Sequence, residues 1–249
     1  MINSRWGSFP RWVSDALRKF PAGPEAGAHM AALRVYLALA LVADFDTREA
    51  SISWSDLQEQ TGLSRPMVLK GIAAAEKAEL ISIDKSSHRH SYRLLRESDD
   101  EIAFIQVPLL ELRSALPSFP ARGFHALDTL KLYITLLAVR FRNSDKAVIS
   151  HKKIWLRTGI QPGRVRAAID VLIERHLIHV QRAESIGVGG HPYNEYILLG
   201  FNIRPAVQTL PSATTTPAME LGGTPTPIKL NNDILSFQPS RGDPNDIPF

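Results

Sequence analysis

One segment of this chain is written twice, 97 residues apart and in unbroken register. Tyr36 returns as Tyr133, Ile52-Ser53 as Ile149-Ser150, Thr61-Gly62 as Thr158-Gly159, and Leu80-Ile81 as Leu177-Ile178. Between these, Val68 matches Val165 and Ile72 matches Ile169. A fixed offset that runs through apolar, capping and turn positions alike is the signature of a duplicated structural unit. Any fold must therefore accommodate two copies of one small domain, and 249 residues suffice to give each its own core.

Within the first copy, Leu33, Tyr36, Leu37, Ala40 and Leu41 have helical spacing and predict a first helix of about four turns. Ile52 predicts a short strand, followed by Ser53 as an N-cap with Asp56 at the third helical position. A second helix runs through Leu57 to Thr61, and Gly62-Leu63 makes a turn. Ser64 then caps a third helix that has Pro66 in its first turn and Val68, Ile72 and Ala75 as its buried stripe. Leu80-Ile81-Ser82-Ile83 leaves as a strand, Tyr92-Arg93-Leu94-Leu95 returns, and Ser86 to His90 form the tip between them.

The second copy repeats the plan. Asp128 is placed to cap a helix carrying Leu132, Leu136 and Val139, and Ser150 to cap the next, which carries Ile154 and Trp155. Gly159-Ile160 turns, and Gln161-Pro162-Gly163 opens a third helix with Val165, Ile169 and Leu172 inward. Strands at Ile178-His179-Val180-Gln181 and Tyr193-Asn194-Glu195-Tyr196-Ile197-Leu198 flank a tip holding Gly187, Gly189 and Gly190. Trp12, Trp54 and Trp155 fall where cores need bulk and are read as packing residues, not as base-stacking platforms.

This order of elements resembles the winged helix-turn-helix. The fold class expected is mainly α with small β-wings (α+β): two tandem winged helix-turn-helix domains plus a disordered C-terminal tail. Residues 1–97 form the first domain with an N-terminal arm, and 98–203 the second with a preceding connector. From 204 to 249 Pro, Thr, Ser, Gly and Asn dominate without periodicity, which is the composition of a disordered tail. A shorter echo precedes each copy: Phe9-Pro10-Arg11-Trp12-Val13 and Ile105-Gln106-Val107-Pro108-Leu109-Leu110. Each is expected to form a strand and short helix packed on the domain that follows it.

Composition narrows the function. Residues 205–249 hold two basic side chains against four acidic ones, net −2, so that 1–204 carries 27 against 21, net +6. A basic body with an acidic tail fits a nucleic-acid binder with a separate protein contact. The absence of cysteine excludes disulfides, thiolate catalysis and sulfur-ligated metal. No apolar run of about 20 residues is present and the N-terminus lacks a secretory pattern, so a cytoplasmic protein without membrane contact is expected. Walker, nucleophile-elbow and zincin patterns are also missing, so no enzymatic activity and no cofactor are expected. His88 and His90 could meet a metal from one strand face, but no third ligand is near, and a surface position without metal is the better reading. His176 and His179 sit at a helix-to-strand junction and read as structural.

In a helix-turn-helix the outward residues of the third helix face the major groove. These are Ser64, Arg65, Met67 and Lys70 in the first copy, and Gln161, Arg164 and Arg166 in the second. Arg pairs with guanine edges, Gln with adenine, and Lys neutralises phosphate. Lys85, His88, Arg89, His90 and Arg93 make the first wing a basic ribbon, and Arg182 lies on the second copy's outgoing strand. The copies are unequal: the first has the basic wing, the second the arginine-bearing third helix.

The last seven residues read Asp243-Pro244-Asn245-Asp246-Ile247-Pro248-Phe249. They resemble the acidic tip of bacterial single-stranded-DNA-binding protein, which ends in Asp-Ile-Pro-Phe, although acids are fewer here. Phe249 offers an apolar ring beside a carboxylate, Pro248 limits the entropy lost on binding, and Asp243 and Asp246 suit a basic rim around an apolar pocket, with Ile247 between. The resemblance implies partners that read such tips: the primosomal restart helicase, the chi subunit of the replicative polymerase, or recombination and repair enzymes.

Residues 1–203 as a whole resemble the tandem winged-helix replication initiators of plasmids and, more loosely, phage replisome organisers. That resemblance implies binding to double-stranded DNA at repeated origin sites, with one domain able to mediate a homodimer. A transcriptional regulator and a protein-binding adaptor are the alternatives.

Overall fold

The first half of the chain is built from β1 (Trp6–Pro10), α1 (Val13–Ala16), a 3-10 turn (Leu17–Lys19), α2 (Ala26–Ala40), β2 (Glu49–Ser51), α3 (Trp54–Thr61), α4 (Arg65–Lys77), β3 (Ile81–Asp84) and β4 (Ser91–Leu94). The second half repeats that order as β5 (Phe104–Pro108), α5 (Leu109–Ala115), a 3-10 turn (Leu116–Ser118), α6 (Gly123–Val139), β6 (Lys146–Val148), α7 (His151–Thr158), α8 (Pro162–Glu174), β7 (Ile178–Ala183) and β8 (Tyr193–Leu198). This computed structural model describes residues 6–84, 91–95, 103–183 and 193–201. It is mainly helical with small sheets, an α+β chain, and Met1–Pro205 forms one compact unit.

Local chemistry explains why the halves match. Ser53 Oγ accepts from the Asp56 amide at 3.1 Å and Ser150 Oγ from the Lys153 amide at 3.3 Å, which starts α3 and α7 at the same place. Both helices end on a left-handed glycine, Gly62 at φ +63° and Gly159 at φ +73°. The preceding Thr61 and Thr158 are buried, and their hydroxyls accept from the amides of Leu63 and Ile160. Each half closes with a three-stranded antiparallel sheet in which the last strand is central, β2-β4-β3 and β6-β8-β7. The registers correspond as well: Ala50 faces Tyr92 as Ala147 faces Tyr196, and Ile81 faces Leu94 as Ile178 faces Leu198.

The two long helices carry the core. Residues 30–40 of α2 and 126–138 of α6 are buried without interruption. A helix apolar on all sides must be enclosed, and α2 is packed between α4 and α6, with α6 in turn against α8. Gly71 of α4 touches the Ala31 backbone so closely that a Cβ would collide with it. The expected stripes Val68, Ile72, Ala75 and Val165, Ile169, Leu172 are all buried on these contacts.

Three expectations are corrected. First, each arm does not simply pack on the domain that follows it. The strands β1 and β5 pair with each other, antiparallel, with Ser8 opposite Gln106. From that ribbon the arms cross over: α1 packs on α6 and α7, and the 3-10 turn after it packs on α7, whereas the 3-10 turn after α5 packs on α3. Arg18 donates to the Leu156 carbonyl at 2.8 Å, 138 positions away in sequence. Second, Asp128 is no N-cap. The helix begins at Gly123, with Arg122 at its cap, and Asp128 lies inside it, 1% exposed. Third, Trp155 is 38% exposed, because Ile154 takes the core position and its neighbour is turned about 100° around the helix. Trp12 is buried and Trp54 half-buried.

Candidate nucleic-acid interface

The exposed surface of each helix–turn–helix is set by the stripe that buries its other side. On α4, Ser64, Arg65 and Lys70 are exposed. Ser64 occupies the N-cap in extended backbone without using its side chain as a cap, so the hydroxyl is left for an outside partner. Arg65 lies over the Trp54 ring at 4.8 Å, an arrangement that steadies the guanidinium while leaving its edge available. Met67, counted among the outward residues, is half-buried and packs on the core near Gly27.

On α8, Gln161 and Arg166 are exposed, and Arg166 engages no partner among the described residues. Arg164 stands where Met67 stands in the first copy, and it too points back to its own domain. Its Nε donates to Asp128 Oδ2 at 2.7 Å, its Nη2 meets the same oxygen, and the guanidinium lies 4.4 Å from the Phe124 ring centroid. Burial pushes the Asp128 carboxyl up, and the Arg164 hydrogen bond and charge pull it back only in part. Arg164 is thus a clamp between α6 and α8 before it is anything else.

Arg93 is exposed on the central strand β4, in register with Glu49 and Ser82, and Arg182 is exposed on β7. Lys85, His88, Arg89 and His90 lie outside the described residues, as do Asp243, Asp246, Ile247, Pro248 and Phe249. Lys152 and Lys153, exposed in the first turn of α7, were not among the expected contacts. The signal for them was present: two lysines directly after the Ser150 cap, where the first copy has Ser55 and Asp56. Two exposed ammonium groups on one helical turn have the chemistry to meet phosphate.

The imbalance between copies is substantial. Residues 54–77 hold three basic and three acidic side chains, net zero, whereas 151–174 hold five basic and two acidic, net +3. Among the described residues, no group of three His, Cys, Asp or Glu side chains could hold a metal, and no helix is long and apolar enough to cross a membrane. No protein-family model matches the chain, and no curated protein matches it in sequence.

Proposed function

We propose that this chain is a non-enzymatic, sequence-specific double-stranded-DNA-binding protein made of two tandem winged helix-turn-helix domains, and that it serves as the replication initiator of a plasmid, phage or integrative element. The observation that carries this reading is the pair of matched helix–turn–helix units with exposed, polar third helices, of which α7–α8 is strongly basic. Lys152 and Lys153 supply phosphate contacts, Arg166 and Gln161 reach base edges, and Ser64, Arg65 and Lys70 make a second, weaker contact. Fold alone does not assign a role. The initiator role rests on the residues 243–249, whose chemistry suits recruitment of replication or restart proteins to the bound DNA.

The experiment is footprinting of the full chain on DNA from its own genetic neighbourhood, across a salt series. Protection of repeated sites at an origin, weakening steeply as salt rises, supports the proposal. Protection confined to a promoter supports the regulator instead, and no protection at any salt supports the adaptor.

A further inference from the structure

We infer that a cleft at the C-terminal end of α6 is a docking site for an acidic peptide of a partner protein, one that anchors itself by an aromatic or aliphatic side chain. This does not rest on DNA binding by either helix–turn–helix.

The cleft is built where β5, the end of α6 and the loop after it meet, and it encloses about 380 Å³. Ile105, Leu137 and Ala138 make its floor, each at most 5% exposed, and Phe104 makes a wall. Phe104 is 41% exposed and meets Phe45 edge-on, with ring centroids 5.1 Å apart at 85°. Phe45 is itself 56% exposed. Two touching, solvent-facing phenylalanines beside an apolar hollow mark an interaction surface.

Three arginines line the same cleft, Arg11, Arg140 and Arg142, and no acidic side chain among the described residues does. Arg140 is engaged within the fold. Its Nη1 donates to the Phe141 carbonyl at 3.0 Å and the Arg142 carbonyl at 3.3 Å, and its Nη2 donates to Gln106 Oε1 at 3.0 Å. Those bonds shape the loop that carries Arg142. Arg11 is brought in by its backbone, whose amide donates to the Ala103 carbonyl at 3.1 Å and prolongs the β1–β5 ribbon. The guanidinium groups of Arg11 and Arg142 are exposed, without an ion pair or hydrogen bond among the described residues.

The duplication shows that the fold does not demand this arrangement. At the fixed offset of 97, Ala43 and Phe45 stand where the second copy has Arg140 and Arg142. The same loop of the first copy carries neither arginine.

Charge and shape choose the occupant. A rim of arginine without acids favours carboxylates, which a guanidinium meets with paired bonds. Arginine and aromatic side chains without lysine or acids are also the composition of protein–protein contact centres. A nucleic-acid single strand suits the site less, because it needs a series of stacking faces and a track of cations. Phe45 and Phe104 stand nearly perpendicular, and two guanidinium groups alone are unengaged in the cleft. A second copy is disfavoured too, since a two-fold contact centred here would set arginine against arginine. The hollow suits one anchoring side chain flanked by acids. Leu137 lies about 20 Å along α6 from Phe124, on which Arg164 of α8 packs. A peptide in the cleft therefore leaves the exposed side of α8 uncovered.

Selection from a random peptide library displayed on phage, with the full chain as bait, tests this. The recovered peptides should share acidic residues around one aromatic or aliphatic position. The best of them, synthesised with a fluorescent label, should bind the double variant Arg11→Glu, Arg142→Glu about tenfold or more weakly than wild type, through like-charge repulsion. Phe104→Ala should weaken binding independently, whereas Arg122→Glu, at the other end of α6, should not. Recovery of no peptide, or of peptides without acids, overturns the inference, as does binding that ignores the double variant. Other occupants would each leave their own trace and overturn it as well. A labelled oligothymidylate bound by wild type and lost by the double variant, where no peptide is recovered, assigns the cleft to single strands. Peptides recovered only by a Phe249→Ala chain assign it to the chain's own residues 243–249, and a wild-type dimer that the double variant lacks assigns it to a second copy. Duplex footprinting, and the proposed function with it, stands or falls separately from all of these results.

Discussion

Arg34 and Lys131 hold the same position in the two copies, and each makes the same bond from inside the core. Arg34 Nη1 donates to the Thr61 carbonyl at 3.0 Å, and Lys131 Nζ donates to the Thr158 carbonyl at 2.8 Å. Both side chains are at most 3% exposed. Each satisfies the last carbonyl of the helix that precedes the turn, a group that the helix itself leaves unpaired. A buried cation thereby fixes the angle between the first helix and the helix–turn–helix in each copy.

Arg34 does more, since its Nη2 also donates to the Pro120 carbonyl at 2.7 Å and joins the crossing arm to the first copy. Burial lowers its pKa to about 10, so the charge is held at a cost. Arg34→Met removes that cost but leaves the buried Thr61 carbonyl and the half-buried Pro120 carbonyl without this donor, a net loss on the order of 1–3 kcal/mol. Arg34→Lys restores the arrangement that the second copy uses and should lose less. Urea midpoints of the two variants check this, and equal midpoints would refute it.

Lys131 differs in being able to release its proton. Burial lowers its pKa from 10.5 to about 8, with the Asp128 charge opposing in part. Below the folded value both folded and unfolded chains are protonated, and the burial cost is present in full. Between about 8 and 10.5 the unfolded chain binds more proton than the folded one, so this residue makes the chain more stable as pH rises through that window. The span corresponds to a few kcal/mol, on the order of 3. The difference in unfolding free energy between wild type and Lys131→Met, followed from pH 7 upward, should therefore slope in favour of wild type; a flat difference counts against it.

The local grammar of the fold was legible in the sequence, and its long-range partnerships were not. Ser53, Ser150, Gly62 and Gly159 announced themselves because capping and left-handed turns are decided by a few adjacent residues. The stripes of α4 and α8 followed from spacing alone. Where the arms pack was hidden, because an apolar pattern shows that a residue is covered but not which copy covers it. Asp128 misled for a related reason: an acid ahead of an apolar run has the appearance of a cap, and only its partner Arg164, 36 positions on, shows it to be an interior residue. That same partnership withdrew Arg164 from the outward face, while spacing could not separate it from Arg166.

Arg164 and Arg166 should consequently fail in different ways. Arg164→Ala leaves the buried Asp128 carboxylate without its closest partner, which costs about 3 kcal/mol or more, and adding Asp128→Asn should recover part of it. Arg166→Ala touches nothing in the fold and should change stability by no more than about 0.5 kcal/mol. Under the proposed function its effect falls on DNA, where a lost base contact costs about 1–3 kcal/mol of binding. Thermal unfolding and gel shifts on a duplex that the wild-type chain protects separate the two; an Arg166→Ala chain that binds as wild type would remove that residue from the interface.

Gly62 and Gly159 form a matched pair for testing the crossing arm. Both have positive φ, so alanine strains either by roughly 1 kcal/mol. Their surroundings differ: a Cβ on Gly159 meets nothing within 4 Å, whereas one on Gly62 overlaps the Pro117 carbonyl of the 3-10 turn that follows α5. Gly62→Ala should therefore be the costlier by a clear margin, and faster amide exchange in Leu116–Ser118 should accompany it. Equal losses at the two sites would mean that the turn is not held against α3.

Residues 243–249 offer the clearest test of the proposed initiator role, since in the sequence they lie apart from both helix–turn–helix segments. In the proposed docking, Phe249 would be the apolar anchor and Asp243 and Asp246 the charges that meet a basic rim, so the anchor should dominate affinity and the acids its salt dependence. Phe249→Ala is expected to abolish recovery of the restart helicase and the polymerase chi subunit in pull-downs with the purified proteins, while gel shifts on the protected duplex stay unchanged. Asp243→Asn with Asp246→Asn should weaken recovery chiefly at low salt. Recovery that survives Phe249→Ala would leave a DNA-binding protein without this recruiting function, and the regulator would become the better description.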